Sequence, residues 1–427
     1  MDKLSDQLNY VKQQNYLNSI PSRKLKNSII KLVEQFLKQK KRKIYGGTAI
    51  NKFVTIYDQY EEPDYDFYTP RPKSDAIELG HFLFKNGIKE VKISRGVLKG
   101  TYKVFANGIP SADLTYCPQK MYDLIPSKNI NGLECTKPEF LKIDLLVSIC
   151  NPEKATWRWE KDFTRYQKLN EKFPLQKIGT NPKTQYNSDA EKLLNSYFKN
   201  KDNTIVTGMV AYNLYLKHSG FKDFYLPKLD YLEVLTTEPY EMIRDLIKKY
   251  SIKNLNCKYY SHFLKIIPEK FVIFYKGIRL INIYYLKDKC YPFIKINDLN
   301  VSSVDYLSLY CYSMIYQARV INNSYLENIN SSLLYNLEQC KKRYYQKNKT
   351  DLLSDKFFKS FVYQCKGKEL DIYQYYKLNI RKEGFNYTVN SDKPNNNNNH
   401  GNLYNYLGEF RGTVDLNILN KEHRLKF

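Results

Sequence analysis

Between Asn27 and Gln39 the apolar residues Ile30, Leu32, Val33, Phe36 and Leu37 recur at helical spacing, which predicts an amphipathic helix. The turn Tyr45-Gly46-Gly47-Thr48 interrupts that pattern. Ala49, Ile50, Phe53, Val54 and Tyr57 then predict a second helix. The period changes to that of a strand over Asp64-Tyr65-Asp66-Phe67-Tyr68, which Thr69-Pro70-Arg71-Pro72 stops. A helix is expected over Ser74 to Lys85, where Asp75 in the first turn suits the helix dipole. Glu90 to Leu98, Thr101 to Asn107 and Ile109 to Tyr116 read as strands parted by glycines. After Pro138 the pattern is helical through Phe140, Ile143, Leu145, Leu146 and Ile149, and continues in a charged, aromatic stretch from Trp157 to Asn170. This order predicts a mixed α/β (α+β) sheet domain with added helices.

The polar stretch Lys177 to Ala190 reads as a connector, so we expect one domain over residues 1–190 and another over 191–427. The second half repeats the first. Val206-Thr207-Gly208-Met209-Val210-Ala211-Tyr212-Asn213 aligns on the Gly46 turn, with Gly208, Ala211 and Asn213 at the places of Gly46, Ala49 and Asn51. Ile273 to Asn282 aligns without gaps on Val104 to Asp113 and keeps the phenylalanine, glycine and isoleucine of Phe105, Gly108 and Ile109. Helical signals follow from Asp305. Near the C-terminus, 393–401 contains a run of five asparagines that reads as a surface loop, before an ordered pattern resumes over Leu403 to Leu419.

Composition narrows the partners. A formal net charge of +24 on 427 residues disfavours a compact chain unless a polyanion uses it, which points to nucleic acid or an anionic surface. The Tyr, Ile, Lys and Asn richness fits an A/T-rich genome as well as any function. No apolar run is long enough to span a bilayer, and Met1 to Tyr10 lacks the apolar core of a signal peptide, so no membrane is expected. Cysteines at 117, 135, 150, 257, 290, 311, 340 and 365 form no CxxC pair, so neither a zinc site nor a disulfide framework is expected, and a reducing compartment fits best.

The chemistry concentrates in the first half. Asp64 and Asp66 stand two apart on a strand and therefore share a face. Asp113, in Ser111-Ala112-Asp113-Leu114-Thr115, lies in a strand that can sit beside them. Three acids among apolar neighbours repel unless cations join them, and two Mg²⁺ or Mn²⁺ ions held this way can activate a hydroxyl and neutralise a leaving phosphate. Taken alone, Asp-x-Asp is a weak signal, better read as two solvated strand acids. The preceding Gly46-Gly47-Thr48 turn adds backbone N–H groups and a helix N-terminus, a cradle for phosphate.

In this order the motifs resemble the polymerase β-type nucleotidyltransferase superfamily. More closely they resemble the poly(A) polymerase catalytic subunits of large DNA viruses, the poxviruses and the mimivirus-like group. The text that carries this is Ile44 to Asn51, Pro63 to Tyr68, Ala112 to Tyr116 and Trp157-Arg158-Trp159-Glu160-Lys161. The resemblance implies stepwise transfer of AMP from ATP to an RNA 3′ end. It implies that Asp64, Asp66 and Asp113 are the catalytic metal ligands, and that Gly46, Gly47, Thr48 and Asn51 bind the nucleotide. It also implies two nucleotidyltransferase-like domains with the second degenerate. In agreement, Met209 stands for Gly47, Asn282 for Asp113, and Asp230 to Val234 holds no Asp-x-Asp. A homodimer, and residence in the host cytoplasm or the virion, are expected on the same ground.

Other signals stay open. Asp144 sits in a helical pattern and reads as structural. Arg158, Lys161, Arg165 and Lys168 alternate with Trp157, Trp159, Phe163 and Tyr166, a pattern that suits RNA contact and equally suits an amphipathic helix. Lys40 to Lys43 reads either as a phosphate attractor or as a cationic helix end, and Lys341-Lys342-Arg343 with Lys347 and Lys349 as a solvated face or an RNA track. Uridylyl or CCA addition, and a non-catalytic RNA-binding scaffold, remain the alternative functions.

Overall fold

The computed structural model describes residues 24–54, 64–96, 100–177, 181–199, 201–264, 266–287, 289–368, 385–389 and 407–421. The expected asparagine loop at 393–401 lies outside the described residues. The chain forms two compact units, Met1–Lys137 with Asp371–Leu403, and Pro138–Leu370 with Tyr404–Phe427.

The first unit begins with helix α1 (24–40), which buries Ile29, Val33, Phe36 and Leu37 on one stripe. It continues with β1 (Lys43–Tyr45), α2 (Gly46–Phe53), β2 (Tyr65–Thr69), α3 (Pro72–Lys85), β3 (Val91–Arg95), β4 (Thr101–Ala106) and β5 (Ile109–Tyr116). After α4 (Gln119–Leu124) comes the hairpin β6 (Ser127–Ile130) and β7 (Leu133–Thr136). The second unit holds α5 (Pro138–Ile149), α6 (Trp159–Lys172), α7 (Ser188–Tyr197), β8 (Thr204–Val206), α8 (Gly208–Ser219), β9 (Leu232–Thr236) and α9 (Pro239–Tyr250). Then follow β10 (Leu255–Tyr260), β11 (Lys270–Tyr275), β12 (Ile278–Tyr285), β13 (Tyr291–Ile296), β14 (Leu299–Ser302), α10 (Val304–Val320), α11 (Ser324–Asn348) and β15 (Cys365–Lys366). Of the late strands, β16 (Asn386–Thr388) joins the first sheet and β17 (Phe410–Thr413) the second.

The duplication is written in the sheets. The first runs β16-β3-β4-β5-β2-β1-β7-β6, and the second, read from its far end, runs β17-β10-β11-β12-β9-β8-β14-β13 with β15 added. Local chemistry repeats with it. The hairpins turn on Asn107-Gly108 and on Lys276-Gly277, all four at positive φ, and each ladder shifts register two or three residues before its turn, at Val104/Phe105 and at Ile273/Phe274. Thr69 and Thr236 end equivalent strands. Each accepts a backbone N–H two residues on, from Arg71 at 3.0 Å and from Glu238 at 3.0 Å, and each helix that follows has proline in its first turn.

Three features depart from what the sequence suggested. Strand β1 occupies part of the basic cluster, and three of its four cations are engaged within the unit. Lys40 pairs with Glu78, Arg42 with the fully buried Asp75 at 2.8 and 3.0 Å, and Lys43 donates to the carbonyls of Tyr122 and Ile125. The hairpin β6–β7 was not predicted, because its residues are too few and too polar to show a period. Finally, Cys290 and Cys365 form a disulfide. Spacing along the chain could not reveal it: the partners are 75 residues apart and meet where β13 pairs with β15, which sets Cys365 opposite Pro292. The six other cysteines are buried and free.

Candidate active site

Parallel pairing of β2 with β5 places Asp66 opposite Asp113, and antiparallel pairing of β4 with β5 places Lys103 opposite Asp113 on its other side. Residues paired across a ladder share a face, as do residues two apart on one strand. Asp64, Asp66, Asp113 and Lys103 therefore line one partly exposed face, while Phe67, Ala112 and Leu114 point the other way into the core. The same polar face continues through Thr115, whose hydroxyl is 2.8 Å from that of Tyr45, and Tyr45 stacks on Tyr68 with ring centroids 4.0 Å apart.

Electrostatics bind these groups together. Burial pushes the Asp113 carboxyl above its ordinary range; the ion pair with Lys103 pulls it down, and the charge of Asp64 pushes it up again. The carboxylates of Asp64 and Asp113 feel one another, although the oxygens of the three acids do not all fall within 4.8 Å. Oxygen ligands of this kind suit Mg²⁺ or Mn²⁺, and the donor set fits such ions: hard, anionic and open to solvent on one side.

The glycine turn meets the acids. Gly46, at φ +67°, opens α2, and a methyl group there would collide with the Asp66 carboxylate, so the turn is glycine for reasons of both conformation and space. Gly47 is buried beneath it. The Thr48 hydroxyl donates to the Asp64 carbonyl at 3.2 Å and so ties the turn to the start of the acidic strand. Asn51 is exposed one turn further along α2.

The basic residues singled out on α6 belong to the second unit. Arg158 reaches Asp162 at 3.1 Å and lies over the exposed Trp157 ring at 5.5 Å. Lys161 and Lys168 are partly exposed, whereas Arg165 lies with Asp162, Tyr166 and Leu169 in the stripe that α6 buries. Trp159 and Phe163, both half-buried, pack on Phe361 at 5.3 and 4.9 Å.

The second unit carries the counterpart site in filled form. The ladder of β9 with β12 sets Glu233 opposite Asn282, the register of Asp66 and Asp113, and Tyr231 stands where Asp64 stands. Gly208, at φ +59°, faces Glu233 as Gly46 faces Asp66. The Glu233 carboxylate accepts from Asn282 at 3.2 Å, from Tyr284 at 3.3 Å and from Tyr310, with all four residues buried. Arg279 donates to the Asn282 side-chain oxygen at 2.8 Å, and its guanidinium lies 3.9 Å from the Tyr231 ring centroid. The Asn282 amide thus bridges a carboxylate and a fixed cation, and the protein's own groups satisfy the site. Lys103, Glu233 and Arg279 were not singled out from sequence. Counting back from the Asn107-Gly108 turn with allowance for one bulge would have found Lys103; nothing local marks Glu233 or Arg279.

A glycine-led helix beside three strand carboxylates, on a mixed sheet laid down twice, defines a nucleotidyltransferase fold. Residues 31–155 match the poly(A) polymerase catalytic subunit family, a stretch that contains the glycine turn and all three acids. A candidate poly(A) polymerase catalytic subunit of Acanthamoeba polyphaga mimivirus is 29% identical over 211 residues, 46% of this chain and 36% of that protein. One from African swine fever virus is 31% identical over 170 residues, 37% of this chain and 35% of that protein. The chain thus spans about a third of the length of the curated relatives it matches. The crystal structure of the Megavirus polyadenylate synthase superposes with a TM-score of 0.85 at 24% identity, over 96% of this chain and 92% of that one, and shares its fold. The resemblance to viral poly(A) polymerase catalytic subunits is borne out.

Proposed function

We propose that the protein is a template-independent polynucleotide adenylyltransferase that adds AMP from ATP to RNA 3′ ends at Asp64, Asp66 and Asp113. The observation that carries this is the contrast between the two units: three carboxylates converge on one face beside Gly46, and the same register in the second unit holds Tyr231, Glu233 and Asn282, closed by Arg279. Asp64 and Asp66 would hold two Mg²⁺ or Mn²⁺ ions and Asp113 one of them. When bound, such ions lower the barrier to attack by a 3′-hydroxyl and neutralise the leaving pyrophosphate. The Gly46–Thr48 backbone at the start of α2 would orient the triphosphate through its N–H groups. The basic surplus of the chain retains RNA in a salt-dependent way. No helix among the described residues is long and apolar enough to cross a membrane. A homodimer working in the host cytoplasm, or carried in the virion, completes the reading, and a monomeric mass in solution would remove the dimer from it.

The test is extension of a labelled RNA oligonucleotide with Mg²⁺ or Mn²⁺ and each NTP singly. Long products with ATP alone are expected. Products with UTP or CTP would reassign the enzyme to another terminal transfer. RNA retention without extension by any NTP would make the chain a scaffold.

A further inference from the structure

Lys103 supplies a positive charge to the acidic face. It stands opposite Asp113 across the β4–β5 ladder, on the carboxylate face and partly exposed, and its ammonium pairs with Asp113 Oδ2. Across the neighbouring ladder stands Asp66, so Asp113 lies between a cation on β4 and a carboxylate on β2.

The duplicated unit works as an internal control. In the β11–β12 ladder the residue opposite Asn282 is Val272, the register place of Lys103, and β11 there has the same strand length and bulge. The fold therefore does not require lysine at this position. Where the third acid became an amide, the lysine became valine. The cation that now serves the amide comes from Arg279, three residues earlier on the same strand. Cation and acid have been kept together in one unit and lost together in the other, as expected of a lysine that serves the carboxylate and not the sheet.

We propose that Lys103 is the resident counter-ion of Asp113, a positioning residue that holds the third carboxylate on the acidic face and that competes with a divalent ion for it. This rests on the reading of Asp64, Asp66 and Asp113 as metal ligands. With Lys103 in place the acidic face carries one fewer net negative charge, which steadies three neighbouring carboxylates before substrate binds. The same pairing makes the ammonium a competitor for Asp113. Displaced, Lys103 remains at the rim of the site as a cation suited to a phosphate oxygen.

The experiment is a titration of the full chain with Mn²⁺ alone, without nucleotide or RNA, followed by the electron paramagnetic resonance of free Mn²⁺. Wild type, Lys103→Met, Lys103→Val, Lys103→Arg and Asp113→Asn are compared. The Val variant copies the second unit's own solution, so folding is not at issue, and circular dichroism checks it. Removal of an ion-pair competitor predicts Mn²⁺ binding about two- to fivefold tighter in the Met and Val variants, with Arg close to wild type. A merely structural lysine would weaken binding when removed or leave it alone. Unchanged or weaker binding in both Met and Val, with wild-type binding abolished by Asp113→Asn, overturns the role of Lys103 and leaves the metal site standing. Wild-type binding that Asp113→Asn does not alter overturns the metal-ligand reading itself.

Discussion

Asn282 stands opposite Glu233 in the second unit as Asp113 stands opposite Asp66 in the first, and the two pairs differ in how their charge is balanced. Asp113 is partly open to solvent and paired with Lys103. Asn282 is fully buried and uses both ends of its amide, one toward Glu233 and one toward Arg279. Opposite outcomes are expected from reciprocal substitutions. Asp113→Asn should fold and lose extension activity by roughly a hundred- to a thousandfold. Asn282→Asp sets a second carboxylate against buried Glu233 and should lower unfolding free energy by roughly 1–3 kcal/mol, read by urea denaturation. Equal stability effects at the two positions would contradict this.

Gly46 and Gly108 separate conformation from space. Both have positive φ, +67° and +75°, but an added methyl meets the Asp66 carboxylate at Gly46 and open solvent at Gly108. Gly108→Ala should cost about 1 kcal/mol of stability and leave RNA extension intact. Gly46→Ala should lose extension by an order of magnitude or more, because Asp66 must move. Comparable activity in the two variants would dissociate the turn from the acids.

Asp75 anchors the first unit. It is fully buried, accepts twice from Arg42 and accepts the Thr69 hydroxyl at the end of the acidic strand. Asp75→Ala leaves a mostly buried guanidinium unpaired, and a loss of about 3–5 kcal/mol is expected in denaturant titration. A loss below 1 kcal/mol would show that water replaces the carboxylate.

Alkaline pH should stabilise the chain before it harms it. Burial lowers the Lys270 ammonium to about 7, with Arg279 pushing the same way and Glu233 opposing, and burial lowers Lys142 to about 8. Unfolded lysine titrates near 10.4. Between pH 7 and about 8.5 these lysines make the unfolded chain bind more protons than the folded one, so unfolding free energy rises with pH; above that the buried thiols, held protonated by burial (Cys135 up to about 11), reverse the slope. Below the folded values the full penalty of burying the charge is present. Lys270→Met should remove part of the rise and raise stability at pH 7. A flat wild-type profile from pH 7 to about 8.5 would contradict the assignment.

The disulfide closes a loop of 75 residues, and the chain-entropy model gives its removal a cost of about 4 kcal/mol. Cys290→Ser with Cys365→Ser should lower the denaturation midpoint accordingly, and reductant should reproduce the shift in wild type but not in the variant.

What the sequence discloses follows from how local each signal is. The acids on β2, the glycine turn and the Asn107-Gly108 hairpin are set by residues a few positions apart, and all were legible. The repeat was legible in three short blocks, yet its full extent, including the Thr69 and Thr236 strand ends, shows only through pairing register. Arg165 read as one member of a basic row because composition does not say which face α6 buries. Tyr231 and Glu233 carried no signal, since their meaning comes from the strand beside them. The Cys290–Cys365 pairing was hidden for the same reason.

The last strands bear on synthesis. β16 covers the free edge of β3 and β17 that of β10, yet they lie at 386–388 and 410–413, hundreds of residues after the first of those edges is made. A nascent chain thus exposes bare backbone donors and acceptors on its first sheet until β16, about 290 residues after β3, has been made. Premature termination between β14 and β16 would release two nearly finished sheets with adhesive edges. Such fragments would be drawn into aggregates instead of accumulating as competitors of the full-length protein.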